Sequence, residues 1–501
     1  MRILSKLQLS IALLSLTALP FVQDPVEVTS PATSEAAPAV AIDPALLAER
    51  IDALLAEHHA LDQFSGTALV AEHGEVVYRG AFGEADSDWG IPNSSDTKFR
   101  LASVTKQFTA MLTLLLVEEG KLELEAPVTR YLPDYPAESG DKVTIRHLLN
   151  HTSGIPSYTN RPGFMRDEAK TRYTVADFVV EFCSDPLEFE PGSAFNYNNS
   201  GYFLLGAIAE AVTGKTYAIN LHERIFEPLG MQDSGHDDQY EVIPGRATGY
   251  DDVLGGRRVA MWLDMTTPYA AGSLYSTVGD LWKWDRALDA KQLLDGELEE
   301  LMFTPGLDDY GFGWGIDLGG PHGPVISHSG GMPGVQTTIV RTPERGRCII
   351  ILCNSSMSAV GAATNGITEI LEGIEDPWKP TRRGDYAVAA AVLEGGIEAG
   401  LELLAVLPQV VQDEYIERDV NMLGYTLIEQ RRFDEAIQLF EFLTTAYPES
   451  ANTWDSLGEG HLSAGHHELA IESYRQALEL DPDSETAGAA LGKLGALEAG
   501  E

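Results

Sequence analysis

A 34-residue period near the C-terminal end constrains the fold of this 501-residue chain more than any other feature. Leu423-Gly424, Leu457-Gly458 and Leu491-Gly492 recur at that interval, as do Ala436 and Ala470, Phe440 and Tyr474, and Pro448 and Pro482. So many anchors of matching type at one interval mark a repeated structural unit. Two units are complete. Ala387 to Leu407 reads as a degenerate earlier unit and Glu485 to Leu497 as a closing helix. Residues 386–501 are therefore expected to form an all-α array.

The repeated segment resembles tetratricopeptide repeats, which implies helix–turn–helix units with small residues where the helices touch and proline at the closing turn, stacked as a short solenoid with a face for an unknown protein partner. A proline- and arginine-bearing stretch around Pro377, Pro380 and Arg382-Arg383 precedes it and reads as a hinge over 379–385. Upstream the pattern changes. Gly66 to Ala71 and Glu75 to Ala81 are β-rich runs separated by His73-Gly74, a hairpin signal. Similar runs return at Gly311 to Ile316, Val325 to His328, Val335 to Arg341 and Arg347 to Leu352, with a turn at Glu344-Arg345-Gly346. Helical patterns fill the space between them, at Thr105 to Glu119, at Gly201 to Thr213, and after Thr277 with Asp280 in capping-box spacing. Residues 43–378 are thus expected to form an α/β domain of α+β type. Its antiparallel sheet, built from both ends of the segment, is flanked by helices with a helical insertion.

The N-terminus opens with Arg2 and Lys6 and continues as an apolar run from Leu7 to Val22. That grammar predicts a signal peptide over 1–23, followed by a flexible linker rich in Pro, Ala and Ser over 24–42. The expectation is a periplasmic or secreted bacterial protein. The run is shorter than the ~20 residues of a membrane span and contains Pro20, so no stable membrane insertion is expected. The formal net charge is −42, from 34 Lys+Arg against 76 Asp+Glu. Such a surface repels phosphate backbones, which argues against a nucleic-acid partner. Cys348 and Cys353 lie five apart in one apolar run, so a strand sends them to opposite faces. With Cys183 they read as buried thiols.

Three segments carry chemistry. Ser103-Val104-Thr105-Lys106 opens an apolar helix, placing a hydroxyl and an amine on one side of its first turn. The helix N-terminus favours a developing alkoxide, and a buried lysine sheds its proton readily enough to act as base. Ser95-Asp96-Thr97-Lys98 has the same spacing but no helix behind it, and reads as a loop. The second segment, Tyr197-Asn198-Asn199, precedes an apolar helix. Tyr197 is suited to shuttling the Ser103 proton, and Asn199 to binding Lys106 or a substrate amide. Tyr158-Thr159-Asn160 repeats that spacing in a loop leading to Arg161-Pro162 and reads as a decoy. The third segment is His328-Ser329-Gly330-Gly331 at the end of a β-run, where glycines admit a substrate backbone and N–H groups face an oxyanion. His147 and His151 are four apart on an expected helix, but no H-E-x-x-H accompanies them, and no metal or cofactor is expected. G-x-S-x-G and dinucleotide fingerprints are absent from the sequence.

Residues 43–378 resemble the serine β-lactamase and penicillin-binding-protein superfamily, in its class C-like branch of esterases and D-amino-acid peptidases. The resemblance rests on Phe99 to Phe108, His147 to Gly154, Tyr197-Asn198-Asn199, Ala271 to Ser276 and His328-Ser329-Gly330. It implies a β-lactamase/transpeptidase-like fold with Ser103 acylated and Lys106 and Tyr197 as acid/base pair. It also implies an oxyanion hole from the N–H groups of Ser103 and Gly331. One position departs from the antibiotic-directed relatives, where a Lys stands in place of His328. A neutral imidazole offers no fixed cation to a substrate carboxylate, which favours a carboxylesterase over a D-alanyl or D-amino-acid peptidase, with a β-lactamase third. A small molecule or a peptide is the expected substrate. A non-catalytic ligand-binding scaffold is the reading from another class, and the intact Ser103, Lys106 and Tyr197 set argues against it.

Overall fold

The computed structural model describes residues 43–498 apart from 239, 254–255, 295, 382–383, 408–415 and 483. The expected leader and linker lie outside the described residues, as do Arg382-Arg383 of the hinge. The described chain divides into two compact units, one formed by residues up to 380 except the short stretch 253–257, the other from 381 onward. No described helix is long and apolar enough to cross a membrane.

The first unit is built on six antiparallel strands, β1 (Gly66–Glu72), β2 (Glu75–Phe82), β3 (Gly315–Asp317), β4 (Val325–Met332), β5 (Val335–Thr342) and β6 (Arg347–Cys353). Their order is β3-β4-β5-β6-β1-β2. The last strand therefore pairs with the first, Gly66 opposite Cys353 and Leu69 opposite Ile350. His73 and Gly74 both take positive φ, 54° and 79°, the signature of a two-residue hairpin turn matched to strand twist.

Alternation along the central strands sends side chains to two separate cores. Leu69, Ala71, Ile350 and Leu352 face the helical layer, which includes α2 (Thr105–Glu118), α3 (Asn199–Thr213) and α4 (Val278–Asp289). Ala68, Val70, Ile349 and Ile351 face α1 (Pro44–Ala60) and α5 (Val360–Leu371) on the other side. Cys348 belongs to the first core and Cys353 to the second, so the two thiols are parted by the sheet as their spacing predicts. Thr277 caps α4 by accepting the Asp280 N–H at 3.2 Å.

Two sequence expectations need correction here. The run Gly311 to Ile316 contributes only the three-residue β3, because Gly313, at φ 78°, turns the chain against α2. A Cβ there would lie 2.8 Å from the Lys106 carbonyl oxygen. The segment packs on α2 before it joins the sheet. His147 and His151 do not share a helix either. That helix spans Ile145–Leu149, and His151 lies beyond its end with φ 59°.

In the second unit, helices Glu417–Glu429, Phe433–Ala446, Ala451–Ser463, His467–Leu480 and Glu485–Glu498 follow the expected period, and Gly384–Gly395 and Ile397–Leu404 form the earlier pair. The period has a direct packing cause. A Cβ on Gly424 would meet the Phe440 ring at 2.4 Å, and one on Gly458 would meet the Tyr474 ring at 2.8 Å. Each glycine is the groove into which the aromatic of its partner helix fits, and the contact repeats with the sequence.

Candidate active site

Every residue from Leu101 to Leu116 is buried except Ser103. Ser103 lies in a 3₁₀ turn, Ala102–Val104, that feeds directly into α2. In such a turn residues three apart eclipse, so Ser103 and Lys106 point the same way. The turn is fixed from two sides. The Leu101 N–H donates to the Leu274 carbonyl at 2.7 Å, and Thr337 Oγ1 of β5 donates to the Leu101 carbonyl at 2.8 Å. Ala102 takes φ 48°, a left-handed conformation that costs a non-glycine residue about 1 kcal/mol or more.

Lys106 is fully buried, and its Nζ lies 3.0 Å from Ser103 Oγ, 2.9 Å from Asn199 Oδ1 and 2.9 Å from the Ala271 carbonyl oxygen. Burial pushes its pKa well below that of an ordinary lysine. A neutral amine has two N–H donors and one lone pair. The two carbonyl oxygens only accept, so in the neutral form that burial favours they would take both donors and leave the lone pair to the Ser103 hydroxyl.

Tyr197 packs beside this group, with Lys106 Nζ 4.8 Å from its ring centroid. Its hydroxyl is buried and makes no hydrogen bond of normal geometry. Burial raises the phenol pKa, and the nearby Ser103 hydroxyl offsets part of the rise. Asn198 caps α3, its Oδ1 accepting the Gly201 N–H at 2.6 Å and its Nδ2 donating to the Ile155 carbonyl. Asn199 donates from its backbone to Ser157 Oγ at 3.1 Å and from Nδ2 to Thr159 Oγ1 at 3.1 Å. Tyr158-Thr159-Asn160 is therefore no idle decoy. It is a 3₁₀ turn that braces Asn199 while Asn199 faces Lys106.

On β4, His328 and Gly330 lie on the buried face and Ser329 and Gly331 on the partly exposed one. Gly330 runs so close to the Ser103 turn that a Cβ would sit 2.3 Å from the Leu101 carbonyl oxygen and 3.0 Å from Ser103 N. His328 Nδ1 lies 2.6 Å from the Ser329 carbonyl oxygen, which only accepts, so Nδ1 carries the proton. His328 Nε2 then accepts the Tyr310 hydroxyl at 3.0 Å. Both ring nitrogens are occupied, and burial depresses the His328 pKa to about 3, with any charge on Lys106 acting in the same direction.

The depressed pKa has a consequence for stability. Unfolded, His328 binds a proton near its ordinary value of 6.5, whereas folded it resists protonation until about pH 3. Its contribution is complete above pH 6.5 and is lost progressively below it, by roughly 1 kcal/mol per pH unit. Thermal unfolding scans from pH 7 to 4 are expected to show a steeper fall in Tm for the wild type than for His328→Gln. Equal slopes would refute the buried neutral imidazole.

Ser103, Lys106, Tyr197, Asn199 and the β4 edge thus converge, while the Ser95 copy does not. Ser95 stays in a turn, and Lys98 pairs with Asp233 at 3.2 Å. Sequence reasoning missed the Ala271 carbonyl, Thr159 and Tyr310. The alternation of aromatics and glycines from Tyr310 to Gly315 was the one local signal for the last of these.

Fold and site together define a serine hydrolase of the β-lactamase and penicillin-binding-protein superfamily. A family model described as Beta-lactamase matches residues 51–371, and the chain belongs to that family. A second model, described as Tetratricopeptide repeat, matches residues 421–485. Penicillin-binding protein 4* of Bacillus subtilis is 34% identical over 323 residues, covering 60% of this chain and 69% of that protein. Esterase EstB of Burkholderia gladioli is 39% identical over 319 residues, covering 56% and 80%. The solved D-amino acid amidase from Ochrobactrum anthropi SV3 superposes with a TM-score of 0.58 at 28% identity, over 66% of this chain and all of that one.

Proposed function

We propose that the protein is an exported carboxylesterase-like hydrolase that acts through an acyl-serine intermediate on Ser103. The observation that carries this reading is the fully buried Lys106, whose Nζ lies 3.0 Å from Ser103 Oγ while it donates to Asn199 Oδ1 and to the Ala271 carbonyl, and whose burial favours the neutral amine. Its lone pair accepts the Ser103 proton as Oγ forms a bond to the substrate carbonyl carbon. The oxyanion is held by the N–H groups of Ser103 and Gly331, and Tyr197 passes the proton on to the leaving alkoxide as the old C–O bond breaks. Water then repeats the sequence on the acyl-serine and releases the acid. The second unit is proposed to hold a protein partner.

Substrate choice follows from charge. His328 is neutral with both nitrogens engaged, so it presents no cation to a carboxylate. Uncharged acyl groups are favoured, in keeping with the similarity to an esterase. The test compares kcat/KM for a short-chain p-nitrophenyl ester, a chromogenic cephalosporin and a D-phenylalanine amide. The ester is expected to lead the cephalosporin by about 10²-fold or more, the scale of a lost charge-assisted contact. Preference for the cephalosporin or the amide would overturn the esterase reading and leave the role of Ser103 intact.

A further inference from the structure

His151 is the residue in this neighbourhood whose local costs have no local return. It is a non-glycine residue at φ 59°. It is buried, with its ring among those of Phe195, Tyr197, Tyr202 and Tyr310. Its Nδ1 accepts the Asn198 N–H at 3.0 Å, so the ring proton is on Nε2, and that N–H has no hydrogen-bond partner. A strained backbone and an orphaned donor at one position are the kind of local inconsistency that gathers at functional sites.

What His151 does for its neighbours accounts for both costs. Asn198 and Asn199 are tied down by side-chain hydrogen bonds to Ile155, Gly201, Ser157, Thr159 and Lys106. Tyr197 has no such tie, because its hydroxyl lacks a hydrogen bond of normal geometry. The nearest ring to it is His151, with centroids 4.3 Å apart and planes tilted by 42°. Immediately after Tyr197, the backbone N–H of Asn198 ends on the same imidazole. One side chain thus holds the Tyr197 ring by its face and the adjoining peptide by its Nδ1.

We infer that His151 is a positioning residue for Tyr197, fixing the phenol at Ser103 through the Asn198 N–H bond and the ring contact. The inference rests on the proposed proton-carrying role of Tyr197. The groups facing His151 are Lys106, Tyr197, Tyr202, Tyr310 and His328, and burial together with the charge that Lys106 or His328 would carry disfavours its protonation. Neutrality matters, because a proton on Nδ1 would remove the acceptor that Asn198 uses.

The acceptor is separable from the ring by substitution. His151→Asn keeps an acceptor at the place of Nδ1 and suits a left-handed backbone. His151→Phe keeps an aromatic ring and loses the acceptor. The full-length protein is assayed on a p-nitrophenyl ester, with Tm recorded for each variant. His151→Phe is expected to lower kcat by about 10–100-fold while KM stays within about threefold, and His151→Asn to recover at least half of that loss on a logarithmic scale. In a Tyr197→Phe background the His151→Phe loss is expected to shrink to about twofold, because a residue acting through the phenol has nothing left to position. An equal loss in both backgrounds, or a loss confined to KM, overturns the inference and leaves the role of Tyr197 standing. A Tyr197→Phe enzyme with undiminished kcat overturns both. Should His151→Phe fail to fold, His151→Asn alone carries the comparison, and a kcat deficit that persists undiminished in the Tyr197→Phe background refutes the inference.

Discussion

Replacing Ser103 with alanine is expected to lower kcat by about 10⁴–10⁶-fold, the range seen when a nucleophile is removed from a site whose other parts remain. The fold should survive, because Ser103 is the one partly exposed residue in an otherwise buried run. Intact mass after exposure to a fluorophosphonate should show one adduct on the wild type and none on Ser103→Ala. Ser95→Ala should label and turn over like the wild type, since its hydroxyl touches only Asp96 and its companion Lys98 is paired elsewhere. An adduct that maps to Ser95 would sink the assignment.

The second large effect concerns the proton path. Lys106→Ala and Tyr197→Phe are each expected to lower the acylation rate by about 10²–10⁴-fold. On the proposed path both groups serve one proton, so the double variant should fall well short of the product of the two losses. Lys106→Arg should fare no better than alanine, because a guanidinium stays protonated and has no lone pair to offer Ser103. Fully multiplicative losses in rapid-quench acylation measurements would show the two side chains acting independently.

Much of this architecture is legible in the chain because its signals are local. Ser103 and Lys106 are three residues apart, so a single turn sets them side by side. Gly424 and Gly458 announce their aromatic partners by recurrence. His73-Gly74 and the flanking runs state their hairpin within a dozen residues. The hidden parts are those that tertiary structure alone assembles. The Ala271 carbonyl reaches Lys106 across 165 residues of chain, and a backbone oxygen has no residue type to betray it. Tyr310 meets His328 only because the glycine-rich stretch after it turns against α2, and the same turn shortens the expected strand to β3. His151 was legible as a spacing and not as a contact, since the bonds that define its place run to Asn198, 47 residues further on. Tyr158-Thr159-Asn160 misled for the same reason, as its partner Asn199 lies 40 residues beyond Thr159.

The position of β6 between β5 and β1 also sets a schedule. Gly66 has to wait for Cys353, a gap of 353 − 66 = 287 residues, before the middle of the sheet exists. Contacts closed over so long a loop form late, after local helices and hairpins. The turn that carries Ser103 leans on Thr337 and on Gly330, both on strands that need β6 beside or beyond them to stay in register. A chain still emerging from synthesis therefore carries its serine and its lysine long before it has an enzyme. The site is complete at one moment, when the final strand of the sheet slides between its neighbours.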